Sequence, residues 1–198
     1  MNALQKRTQA TAKDVSRLEG VVAQWGAERT AKRAELADLE GRIGEEVLAD
    51  ESVADQLTDM SQKLRARIDL ADRTAAAAEK QLGAARGELA SAQAAEKREQ
   101  AAKLYAQSLA HEARVNEAAD RLRVLDPLAT VSLYRPTPQE RRRHRADAAL
   151  GLASPLTGVE VPPFLQAQYD ADVLLEEADA LEQRVPAVQQ LRLADASI

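Results

Sequence analysis

Apolar side chains recur near the start of the chain in alternating steps of three and four, the spacing that lines one face of a helix. Val15, Leu18, Val22 and Trp25 open the series, and Leu36, Leu39 and Ile43 resume it in the same register. Arg29 and Lys32 hold the seam positions between them, a polar break that a strong leucine zipper does not carry. The pattern predicts a helix over about 3–48, roughly 70 Å long at 1.5 Å per residue.

A break is expected at 49–52. Gly41 and Gly44 weaken the turns before it, and Asp50 or Ser52 can cap a new helix. The next apolar set is Val53, Leu57, Met60, Leu64 and Ile68, followed by Ala71, Ala75, Ala78, Leu82, Ala85, Leu89 and Ala92. After the polar stretch 96–100 the stripe returns as Ala101, Leu104, Ser108, His111, Val115, Ala118, Leu122 and Leu125. This predicts one long or gently bent second helix ending near Asp126, roughly 110 Å in length. The short connection makes the first helix antiparallel to about 53–95. Beyond 96 the stripe has no cover from the first helix. It must therefore meet the C-terminal segment, another copy or a different protein.

All seven prolines lie at or beyond Pro127, so the character of the chain changes there. The β-branched and aromatic stretch 127–136 reads as an extended arm. Thr137, Pro138 and Glu140 form a capping-box signature, which predicts a short helix over about 138–150 that stops at Gly151. Residues 154–164 read as extended or turned. A third long stripe, Ala171, Leu174, Ala178, Leu181, Val185 and Val188, predicts a helix from Pro163 or Phe164 that Pro186 kinks or ends, followed by a frayed tail. The expected organisation is a coiled-coil hairpin and rod over 1–126, an arm with a short basic helix over 127–163, and an acidic helix and tail over 164–198. The expected fold class is all-α: an elongated antiparallel coiled-coil hairpin with a long second helix, extended arms and short C-terminal helices.

Composition sharpens this picture by exclusion. Only 3% of the 198 residues are aromatic, too few for a wide globular core, and the wealth of Ala, Leu, Glu and Arg suits long helices. There is no cysteine, which removes disulfides, thiolate metal sites and cysteine nucleophiles. With 27 basic and 32 acidic residues the net charge is −5, which gives no global reason to bind nucleic acid. The N-terminal segment has no apolar stretch of the secretory kind, and no apolar run reaches membrane-spanning length. Cytoplasmic synthesis and no membrane partner are expected.

Candidate chemistry is sparse. The run Arg141, Arg142, Arg143, His144, Arg145 is the most conspicuous charge feature. Five consecutive helical residues point around the whole circumference, so they do not make one groove-reading face. A protein-facing basic helix, nucleic-acid phosphate and pairing within the chain are the three readings. The last has a visible counterpart: Glu160, Asp170, Asp172, Glu176, Glu177, Asp179 and Glu182 occupy a stretch without lysine or arginine. His111 falls on the seam of the second helix, where packing is a commoner role for histidine than metal ligation. The acidic cluster lacks the spacing of a calcium loop. No phosphate-binding glycine loop, zinc motif or nucleophile triad is present, so a non-enzyme without cofactor or metal is expected.

The segment RLEGVVAQWGAERTAKRAELADLEGRIGEEV, the helical rod after it and the arginine-rich short helix resemble small coiled-coil proteins of actinobacterial phage or prophage head-assembly regions. Phage scaffolding proteins are similar in plan, with elongated self-associating helices and a short basic helix that binds coat protein. The resemblance implies a non-catalytic scaffold, spacer or adaptor, self-association, a coat- or connector-like partner and residence in the virion. A nucleic-acid-binding coiled-coil adaptor is the alternative, and a membrane-remodelling helical hairpin the third reading. The expected contact residues are Arg141, Arg142, Arg143 and Arg145 on the basic helix, with Leu104, Val115, Leu122 and Leu125 on the long one.

Overall fold

The computed structural model describes residues 3–128, 134–152, 161 and 163–195, the side chains of 184–195 excepted. The fold is all-α. Helix α1 spans Ala3–Ala49, α2 Ala54–Leu125, α3 Pro138–Ala149 and α4 Pro163–Asp195, with no strand among the described residues. The expected break between α1 and α2 is a single 3-10 turn, Glu51–Val53. Asp50 caps it by accepting a hydrogen bond from the Ser52 amide at 2.9 Å, and the Ser52 side chain together with that amide draws the Asp50 carboxyl below its ordinary range.

The chain divides into two units, Met1–Leu89 and Ala90–Ile198. The boundary lies inside α2 and not at residue 126, because the C-terminal helices pack back onto the last part of α2 and join it in one body.

In the first unit α1 and the opening half of α2 form the antiparallel hairpin. Val15, Leu18 and Leu82 make its apolar cluster, with Val22, Ala85 and Leu89 packed around them. Charged pairs flank the seam: Glu19 with Arg86 at 2.8 Å, Arg33 with Asp72 at 3.0 Å, and Glu40 with Arg65 at 2.7 Å. Each advance along α1 is matched by an equal retreat along α2, as antiparallel helices require. Trp25, half-buried, carries the Arg67 guanidinium over its ring at 5.2 Å. The buried positions on α2 run Leu57, Ser61, Ile68, Ala71, Ala75, Ala78 and Leu82. Ser61 takes the seam place that Met60 was expected to fill, and Met60 is exposed. A strict alternation of four and three passes through Ser61, so helical phase outranks side-chain apolarity here.

In the second unit α4 runs antiparallel to the end of α2. Arg98 binds Asp179 and Glu182 near one end, and the His111 ring stacks on Phe164 at 5.9 Å near the other. Ala94, Ala101, Ala171 and Ala178 are almost wholly enclosed, so the two backbones approach closely. Phe164, Leu165 and Tyr169 form the bulkier cluster, closed by Val161. From residue 96 to about Ala119 the seam thus finds its cover in the C-terminal segment, the first of the three options open to it, while Leu122 and Leu125 stay exposed. Ala119 is buried in place of the expected Ala118.

The capping box forms as the sequence predicts. Thr137 Oγ1 accepts from the Glu140 amide at 3.2 Å, and Glu140 accepts from the Thr137 amide at 2.7 Å, which holds the Glu140 carboxyl below its usual range. Gly151, at φ 69, takes the left-handed conformation that ends α3. Helix α4 continues past Pro186 to Asp195, so the proline does not end it. The predicted extended segments lie largely outside the described residues (129–133, 153–160 and 162), as do residues 196–198 of the tail.

Candidate functional site

Helix α3 sets a polar layer against α2 and α4. Arg141 points inward and is 5% exposed. Its Nε donates to Asp172 Oδ2 at 2.6 Å and its Nη2 to Asp172 Oδ1 at 3.0 Å, a two-pronged grip on one carboxylate. Nη1 donates to the Pro136 carbonyl at 2.9 Å and to Gln168 Oε1 at 3.1 Å, and Nη2 also reaches the Tyr105 hydroxyl at 3.3 Å. All five guanidinium N–H donors therefore have acceptors. Gln168 Nε2 passes the chain on to the buried Ser108 hydroxyl at 2.9 Å.

Asp172 sits at the centre. Burial pushes its carboxyl upward, but the Arg141 and Tyr105 hydrogen bonds outweigh that and hold it below the ordinary carboxylate range. Burial raises the Tyr105 hydroxyl, and its hydrogen bond to Asp172 raises it further. Arg145 lies 3.5 Å from Asp172 and donates to Glu176 at 2.6 Å, and Arg142 donates to the same Glu176 oxygen at 2.8 Å. His144 Nδ1 meets the Tyr169 hydroxyl at 2.7 Å, and its other ring nitrogen faces the Tyr134 hydroxyl at 3.3 Å.

The expected contact residues thus separate. Arg141 belongs to the interior, a correction to its place in an exposed cluster, because a buried carboxylate on α4 requires a partner. Arg142 and Arg145 also pair within the chain, and Arg143 points outward with Asp147 at 3.7 Å. On α2, Leu104 and Val115 are half-buried. Leu122 is 45% exposed and Leu125 84%, and Val124 and Leu128 beside them are exposed as well. Sequence reasoning named Asp172 only as one acid among seven, and it missed Tyr105 and Gln168. Ser108, a small polar residue on the seam of α2, was a visible sign of a polar layer.

Among the described residues no cluster of three or more histidine or acidic side chains is placed to hold a metal ion. No described helix is long and apolar enough to cross a membrane. No protein-family model matches the chain, and neither a curated protein nor a solved structure does so.

Proposed function

We propose that this chain is a non-catalytic assembly protein, a scaffold, spacer or adaptor in a larger complex, and that phage particle assembly is its concrete setting. In that setting the chain is made in the cytoplasm and resides in the virion, where it associates with itself and with a coat- or connector-like protein. The observation that carries the reading is the apolar end of α2. Leu122, Val124, Leu125 and Leu128 present large side chains to solvent within one short stretch, which is costly unless another surface covers them.

The test is the double substitution Leu122→Glu, Leu125→Glu. It should leave helix content unchanged by circular dichroism and abolish association with the proteins that co-purify with the parent. An unchanged set of co-purifying proteins and an unchanged mass by light scattering would sink the reading. The exposed Arg142 and Arg143 support a second reading, a nucleic-acid-binding adaptor. Retention of duplex DNA by the parent chain, weakening steeply with salt, would promote it.

A further inference from the structure

Helix α3 has no apolar anchor of its own, the buried Pro136 lying two residues before it. Between Pro138 and Ala149 it has no aliphatic side chain larger than alanine, and the two leucines just after it, Leu150 and Leu152, are exposed. Its attachment rests on polar contacts: the forked Arg141–Asp172 pair, the convergence of Arg142 and Arg145 on Glu176, and His144 against Tyr169. The acceptors Asp172 and Glu176 are four residues apart on α4. The donors Arg141 and Arg145 are four apart on α3, so the two faces match turn for turn.

Such a joint differs in kind from the one beneath it. The contact of α2 with α4 carries ion pairs from Lys97 and Arg98 at one end, but its centre is Phe164, Leu165, Ala171 and Ala178, whose burial does not depend on charge. Salt weakens the exposed Arg142–Glu176 pair at the edge of this joint, and screens the buried Arg141–Asp172 pair much less. Helix α3 can therefore part from α4 while α2 and α4 stay together, an opening of one element and not of the whole unit. The groups so released are self-complementary: each copy then offers an arginine face and the carboxylate pair that fits it.

We infer that α3 is an exchangeable clip, whose Arg141, Arg142 and Arg145 bind Asp172 and Glu176 on α4 of a second copy, the reciprocal exchange closing a two-fold dimer. A second copy is the occupant because the fit to these arginines, fork geometry and four-residue spacing included, already exists on the chain's own α4. Exchange of an identical element re-forms the same contacts and adds no new interface to be evolved. The inference rests on the assembly reading above and adds the element through which copies join.

Two full-length variants test it, both carrying Leu122→Glu and Leu125→Glu so that the apolar end of α2 contributes nothing. One adds Asp172→Asn and Glu176→Gln; the other adds Arg141→Gln, Arg142→Gln and Arg145→Gln. Neither can make the clip alone. In a mixture, α3 of the first can dock on α4 of the second. Capture of one chain by the tagged other should rise about tenfold over capture of either by itself, and should weaken as salt is raised. Equal capture in all combinations overturns the clip and leaves the α2 reading standing. Retention of duplex DNA by the first variant without capture of the second assigns the arginines to nucleic acid and also overturns it.

A measurement on the unsubstituted chain needs no variant to fold. Hydrogen exchange of residues 138–149 should accelerate about tenfold between low and high salt, with residues 101–111 unchanged. If both segments accelerate together, α3 is not a separable element and the inference falls.

Discussion

Arg141 and Asp172 face each other as a two-pronged pair, 2.6 Å and 3.0 Å between their bonded atoms, with each side chain less than a tenth exposed. An arginine that the sequence places in the middle of a basic run is in the structure an interior residue. The pair stabilises only as a pair, since either charge left alone in that site keeps its desolvation cost without its compensation.

Asp172→Asn should therefore destabilise the second unit by about 3–5 kcal/mol, because it strands the Arg141 charge. Arg142→Gln, at an exposed pair, should cost less than about 1 kcal/mol. Denaturant unfolding of the two variants measures the contrast. Equal effects would show that burial does not set the strength of these pairs.

Acid should act through the same carboxylate. The folded pKa of Asp172 is depressed, so the unfolded chain takes up its proton at higher pH than the folded one, and stability rises with pH across that window. The contribution is whole above the ordinary value of 3.8 and is lost as pH falls through the lower folded value. Arg141 and Arg145 on α3 and Tyr105 on α2 face the carboxyl, and Arg141 and Tyr105, both shifted upward, keep their protons throughout this range. Unfolding midpoints taken from pH 6 to pH 2 should drop more steeply for the parent than for Asp172→Asn.

The alanine seams should resist enlargement. Ala101 and Ala171 have almost no exposed surface, so Ala101→Leu should cost about 1–3 kcal/mol through overpacking and lower the thermal midpoint. Leu82→Ala, which empties the space against Val15 and Leu18, should cost about 2–5 kcal/mol. A neutral Ala101→Leu would mean that α2 and α4 are not in close contact there.

The ends of α3 give a smaller, local effect. Thr137→Ala removes the cap and should cost about 1 kcal/mol, read as faster hydrogen exchange in the first turn of α3. Gly151→Ala places a side chain at φ 69 and should loosen the last turn instead.

Much of the fold was legible because helices are specified locally. The break after Ala49, the capping box at Thr137 and the stop at Gly151 each depend on a few adjacent residues. The hairpin was legible from the short connection after Ala49. The polar layer was not, since Tyr105, Ser108, Gln168 and Asp172 come together only when α4 folds back onto α2. No spacing within either helix announces that pairing. The inward turn of Arg141, and not of Arg143, follows from the rotation of α3 about its own axis, and a run of like residues contains no mark of that rotation.

The charged pairs of the hairpin have one more consequence. The α2 side of the seam is rich in alanine and smooth, and sliding α1 along it by one heptad, about 10 Å, would set the α1 stripe against small residues again. The charges do not allow it in at least one direction. Moved by seven positions, Arg33 would lose Asp72 and meet Arg65, while Glu19 would lose Arg86 and meet Glu79. Two attractions would become two repulsions in a single step. The hairpin thus carries its own ratchet stop, and the surface pairs that add least to its stability decide where its two helices come to rest.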